Sequence, residues 1–214
     1  LLRDGARHLV VDPLNGVLAH DPFGANSVCQ GYGYKRPVWT LHDGEARSGE
    51  LTKFQLQSQA FQESRSVHVY LPARFRRNRT YPLLVLHDGI DYLRYADLKI
   101  VLDNLIHRLE IPAMIVALTQ PQERIREYTC DLRHARFVSE ELLSAMSKQY
   151  PLIDDPAARG LAGASLGGVA ALHAASRYPN QFGRLLLQSG SFAFSDLGHH
   201  KKGPLFDPVV RFVN

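Results

Sequence analysis

The run Gly163-Ala164-Ser165-Leu166-Gly167-Gly168 constrains this chain more than any other stretch. It has the form GxSxG. Arg159 to Gly163 reads as a short strand that leads straight into Ser165. The run opens a segment, Leu166 to Tyr178, that reads as a helix stopped by Pro179. A serine between glycines at a strand-to-helix junction requires a sharp turn with strained backbone angles at the serine. Flanking glycines let strand and helix backbones approach without Cβ clashes. Ala170, Ala171, Ala174 and Ala175 permit the same close approach further along the helix. The hydroxyl then stands at a helix N-terminus, where free N–H groups and the positive dipole end favour a developing oxyanion. The bland alternative is an ordinary Gly-rich turn. The context of strand, motif and helix favours a nucleophile at Ser165, with the backbone N–H of Leu166 as one oxyanion donor.

The surrounding pattern alternates strand and helix. Ser66 to Leu71 alternates, with Val67, Val69 and Leu71 on one face. Leu83 to Leu86 and Ala113 to Leu118 are continuous apolar runs, as in strands buried on both faces of a parallel sheet. Leu93 to Leu109 has near-helical apolar spacing and ends before Pro112, and Phe137 to Tyr150 is a further helix. Its Glu140 and Glu141 sit early and Lys148 late, as the helix dipole prefers. Leu185 to Ser189 is another strand. The expected fold class is α/β: a mainly parallel sheet with helices on both faces. Residues 1–45 have a different texture, with turn-rich DPLN and DPFGANS segments and too few apolar residues for a core. The division expected is 1–45, the end of a preceding β-rich domain, and 46–214, the α/β domain, with polar Asp43 to Glu50 at the boundary.

Other chemistry-bearing residues follow from this layout. His87-Asp88-Gly89-Ile90 follows the strand at 83–86, where such a fold places a second oxyanion N–H; Ile90 is the expected donor. A metal site on His87, Asp88 and Asp91 is a weaker reading, because neighbouring side chains at a strand end diverge. The polar stretch Thr119 to Ala135 is long for a connection and follows a strand end, where ligands bind in open α/β sheets. Asp91 and Arg126 are the candidate substrate contacts. A serine hydrolase also needs a histidine base and an acid that orients it, following the serine in the order acid, then His. After Ser165 come His173, His199 and His200, and Asp196 and Asp207. His173 lies two turns down the helix and points away. Neither of the other histidines falls on a loop after its own strand. The expectation is an acid and a base beyond residue 214, with His199 or His200 as the alternative base. The run His199-His200-Lys201-Lys202 reads as a solvated loop.

Composition excludes several classes. The net charge of +4 is scattered, so no nucleic-acid stripe exists, although it suits an anionic substrate. No run of 18 apolar residues occurs. Two cysteines, Cys29 and Cys130, make neither a disulfide framework nor a zinc spacing, and read as free thiols in a reducing compartment. The chain opens on Leu1 with no signal-peptide pattern, as a piece of a longer protein would. No motif calls for a cofactor.

The constellation resembles the Putative esterase family of α/β-hydrolases, and within it the enterochelin esterases. The residues that carry the resemblance are VYLPARF (69–75), the strand ending in HDG, ERIREYT (123–129), FVSEELL (137–143) and, most specifically, residues 163–192. DPLN and DPFGANSV look like the end of the β-sandwich domain that those enzymes carry. The resemblance implies an α/β-hydrolase domain lacking its last strands. It also implies Ser165 as nucleophile with an Asp and a His, and cytoplasmic hydrolysis of small-molecule esters such as an iron-loaded siderophore lactone. An acyltransferase of the same fold and a non-catalytic hydrolase-fold domain are the alternatives.

Overall fold

The computed structural model describes residues 10–193 and 204–213, together with the backbone of residues 2–3 and 6–7. Its centre is a six-stranded sheet. The strands are β5 (Glu50–Ser58), β6 (Glu63–Leu71), β7 (Leu83–Leu86), β8 (Ile115–Thr119), β9 (Arg159–Ala164) and β10 (Arg184–Gln188), in the order β10-β9-β7-β8-β6-β5. The four strands from β10 to β8 run parallel, while β6 is antiparallel to both β8 and β5. Strand β5, whose polar–apolar alternation (ELTKFQLQS) leaves most of it at the surface, is an element that the apolar runs did not reveal. Two small hairpins precede the sheet: β1 (Leu2–Arg3) with β2 (Ala6–Arg7), and β3 (Leu18–Asp21) with β4 (Gly24–Ser27). In the run His8-Leu9-Val10-Val11, strand-like by its sequence, His8 and Leu9 lie outside the described residues. Val10 and Val11 are irregular and exposed.

Strand periodicity sends alternate residues to opposite faces. Val67, Val69, Leu83, Val85, Ile115, Ala117 and Leu161 share a buried cluster with the helical stretch 132–149 and with α6 (Leu166–Arg177). Tyr70, Leu86, Val116, Leu118 and Ala162 face the other way. They pack under α1 (Gly89–Tyr95) and α2 (Leu98–His107). Helices therefore cover both faces.

The segment read as one helix, Leu93 to Leu109, is two. The chain breaks at Asp97, which is left-handed (φ 48°), a conformation that aspartate tolerates better than most residues. The polar stretch after β8 is not a loop throughout: it holds α3 (Arg124–Tyr128) and α4 (Leu132–Arg136). A π-helical segment, Phe137–Leu142, joins α4 to α5 (Leu143–Gln149). Glu141 leaves that segment to accept from Ser58 Oγ (2.6 Å) and Ala60 N (2.8 Å), closing the β5–β6 turn. A last helix, α7 (Asp207–Val213), packs Val209 against Tyr128, Leu166 and Val169.

Residues just ahead of the sheet are stitched to α2 by polar groups buried in it. Asn104 donates to the carbonyls of Trp39 (2.9 Å) and Leu41 (2.7 Å). Asp103 accepts from Gly49 N (2.7 Å), Tyr70 Oη (2.8 Å) and Lys99 Nζ (2.7 Å). Among the described residues, no helix is long and apolar enough to cross a membrane.

Candidate active site

Strand β9 runs into Ser165, and α6 starts at the next residue. Ser165 has φ 57° and ψ −119°, a strained conformation for a residue with a side chain. The turn is held from both sides. Ser165 N donates to Gln188 O at the end of β10 (2.9 Å), and Ser191 N donates to Ser165 O (3.0 Å). A Cβ at position 163 would stand 2.4 Å from the backbone of Gly167, so only glycine lets the strand and the first turn of the helix approach this closely. The Ser165 hydroxyl hydrogen-bonds the Ser191 hydroxyl (2.8 Å). Leu166 is the first residue of α6, so its N–H has no intrahelical acceptor and points from the helix end.

The second wall comes from the end of β7. Asp88 is left-handed (φ 55°) and α1 begins at Gly89. Position 89 tolerates no side chain, since its Cβ would lie 2.4 Å from Leu118 Cβ. Ile90 N–H donates to Gln120 Oε1 over 3.3 Å, a long bond, and Gln120 in turn donates to Asp91 (3.3 Å). His87 and Asp88 are not solvated. Asp88 is buried and takes a bidentate ion pair from Arg124, with Nη2 at 2.8 Å and Nε at 3.0 and 3.1 Å. Its own N–H donates to Tyr128 Oη (3.1 Å). Burial, before the Asp88 charge, raises the Tyr128 phenol well above its ordinary range.

Behind this layer lies a histidine pair. His87 is fully buried; its Nδ1 meets Ala162 O (2.9 Å) and its Nε2 meets His134 Nε2 (3.0 Å). A carbonyl only accepts, so His87 carries its proton on Nδ1. His134 then donates from Nε2 and keeps a bare Nδ1, 3.9 Å from Glu127 Oε2. Burial holds both rings below the usual histidine range, and the His87 ring, then Arg65, push His134 further down. With both nitrogens engaged and no exposure, His87 is structural. Among the described residues, no group of three or more metal-ligating side chains stands together.

Ser165 opens onto a cleft of about 510 Å³ whose lining includes Asp88, Asp91, Tyr92, Tyr95, Gln120 and Arg124, with Pro22 and Phe23 from the β3–β4 tip. Asp91 is thus in the cleft. Arg126 is not: it pairs with Glu123 (3.1 Å) at the surface and borders a separate polar depression beside Phe61 and Glu63. Two residues along a helix point to different sides, so once α3 forms only Arg124 reaches the cleft. Reading 119–135 as a loop concealed that choice. His173 is buried edge-on against Phe212 (5.2 Å), away from the cleft. No histidine is among the described residues lining the cleft. Asp196, His199, His200, Lys201 and Lys202 lie outside the described residues.

A mainly parallel sheet carrying a strained serine between strand and helix, with helices on both faces, defines an α/β-hydrolase fold. The chain belongs to the Putative esterase family, whose match covers residues 58–197. Iron(III) enterobactin esterase of Dickeya dadantii is 29% identical over 153 residues, which is 70% of this chain and 35% of that protein. The solved enterochelin esterase of Shigella flexneri superposes with a TM-score of 0.72 at 26% identity. It covers 91% of this chain and 49% of that one. A Shigella flexneri enterobactin esterase solved in the presence of enterobactin gives 0.71 and 26%, over 85% of this chain and 48% of that one. The chain therefore spans between a third and a half of the length of these relatives.

Proposed function

We propose that the protein hydrolyses carboxylic esters through an acyl-enzyme on Ser165. The carrying observation is the Ser165 hydroxyl on a strained elbow, open to a cleft and next to a helix N-terminus. In this reading Ser165 Oγ attacks the acyl carbonyl carbon and its proton passes to a histidine base outside the described residues. The tetrahedral oxyanion is held by the N–H groups of Leu166 and Ile90, the latter leaving its long bond to Gln120. The C–O bond then breaks, the protonated base returns its proton to the departing alcohol, and water releases the acid by the reverse sequence. The left-handed turn at Asp88, held by Arg124, fixes the Ile90 N–H in place. Asp91 and Arg124 offer polar contacts to substrate, and Arg126 faces elsewhere.

The substrate class is a small-molecule ester, with an iron-loaded siderophore ester of the enterobactin type hydrolysed in the cytoplasm. The names of the relatives support this part, as does the neighbour solved in the presence of enterobactin. The test uses the full-length protein with a fluorophosphonate probe and an ester assay. Wild type is expected to label at Ser165 and turn over esters. Ser165→Ala is expected to lose labelling and at least about a thousandfold in kcat. Labelling or turnover that survives this substitution overturns the proposal.

A further inference from the structure

A second hydroxyl stands against that of Ser165. Ser191 Oγ lies 2.8 Å from Ser165 Oγ and comes from the turn that follows β10. That turn is pinned. Ser189 is left-handed (φ 44°), a strained state for a residue with a side chain. A Cβ at position 190 would run into the Phe192 ring, and one at Gly168, in the first turn of α6, would lie 3.3 Å from Gly190 Cα. Phe192 and Ala193 then pack with Tyr128, Leu166 and Val169. Ser191 N also donates to Ser165 O (3.0 Å), so the two residues are tied twice, through the backbone and through the side chains. A fixed backbone therefore holds the Ser191 hydroxyl at the nucleophile. Ser191 is not among the residues lining the cleft, so it meets Ser165 Oγ from behind the wall that substrate would touch.

At rest either hydroxyl can donate, since each carries one proton and rotates. The reaction fixes the direction. Once a base takes the Ser165 proton, Ser165 Oγ only accepts, and the Ser191 O–H stands ready to donate to it. We infer that Ser191 is a further catalytic residue, whose hydroxyl donates to Ser165 Oγ whenever that oxygen carries negative charge. This rests on the esterase reading above. Charge builds on Ser165 Oγ twice. In acylation it loses its proton to the base as it bonds to the acyl carbon. In deacylation water adds to that carbon and gives its proton to the base. The bond from carbon to Ser165 Oγ then breaks, the electron pair stays on Oγ, and the protonated base returns the proton. Ser191 keeps its own proton throughout, so no further acid or base is needed. A hydrogen bond strengthens as its acceptor becomes charged, which favours both transition states over the resting enzyme.

The experiment compares wild type, Ser191→Ala and Ser191→Thr in the full-length protein. It reads the second-order rate of fluorophosphonate labelling at Ser165, turnover of p-nitrophenyl butyrate, the inhibition constant of butyrate and the urea midpoint. Ser191→Ala keeps the backbone bond to Ser165 O. It is expected to label and to turn over at least about tenfold more slowly, with the urea midpoint and butyrate inhibition unchanged. Ser191→Thr keeps the hydroxyl and is expected to stay within about threefold of wild type in both rates. Labelling and turnover in Ser191→Ala within twofold of wild type overturn the inference and leave the esterase reading standing. A loss that tracks a lowered urea midpoint, or that Ser191→Thr shares, marks a structural role and overturns it as well. Wild type that neither labels nor hydrolyses esters sinks the esterase reading, and this inference with it.

Discussion

A methyl group at position 163 would meet the Gly167 carbonyl carbon and oxygen at 2.4 Å, and backbone atoms on both sides of an elbow cannot step aside. Gly163→Ala is therefore expected to cost at least about 2 kcal/mol in urea unfolding, together with most of the activity. An alanine variant of native stability would show that the elbow is looser than described. The spacing GxSxG already located this residue, because the steric demand is local. The same was not true of Arg124. It and Arg126 are the same residue type two positions apart, and only the turn of α3 aims one at Asp88 and the other at solvent. Cysteines show the same division. Both are free; Cys29 is exposed, whereas burial pushes the Cys130 thiol up to about 11. Iodoacetamide at neutral pH is expected to modify Cys29 well before Cys130, as read by peptide mass mapping, since the thiolate is the reactive form.

At the scale of elements, α3 is attached to the sheet by a buried ion pair. Arg65 on β6 donates from Nη1 to both oxygens of Glu127 (3.0 and 3.1 Å), and both side chains are almost fully covered. Glu127 also accepts from Gln122 N and Glu123 N, each at 2.9 Å, fixing the turn into α3. Removing Glu127 leaves the buried Arg65 with only its pair to Glu63 (2.5 Å). Glu127→Ala is expected to lose about 3–5 kcal/mol, and Glu127→Gln less, because the amide oxygen still accepts. Equal losses would mean that charge is unimportant there. Elements with continuous apolar runs or strict periodicity were legible: β7, β8, β9, β10, α6 and most of 137–150. The break between α1 and α2 was not, because Asp97 adopts its left-handed turn in a segment whose apolar spacing continues across it. Strand β5 was missed because half-exposed polar alternation resembles loop composition.

At the scale of the whole molecule, the buried His87–His134 pair couples stability to pH. Both rings are held neutral below the usual histidine value of about 6.5, so their contribution is complete above that value. As pH falls below it, the unfolded chain takes up protons that the folded chain refuses, and stability drains away towards the depressed folded values. The slope approaches about 1.4 kcal/mol per pH unit for each ring. Urea midpoints are expected to fall between pH 7.5 and 5.5, and to fall less steeply in His134→Gln; a flat profile would contradict the assignment. Among the described residues, one side of the sheet ends on β10, with β9 as its neighbour. On this edge strand Leu186 is 56% exposed and Leu185 40%. An apolar edge invites pairing between copies. The 214-residue chain is expected to associate with rising concentration in sedimentation velocity, and Leu186→Lys to reduce it. A monomer at all concentrations would remove the idea.

The amino-acid sequence alone determined the strand–elbow–helix with Ser165, the alternation that makes a doubly covered, mainly parallel sheet, and the turn after β7 that leads to Ile90. Each is a local matter of periodicity or of backbone sterics within a few residues. Tertiary structure alone decided which arginine enters the cleft, how two histidines 47 positions apart share a proton, and that Phe23 stands beside a serine 142 residues later. Those are distances between remote parts of the chain, and only packing sets them.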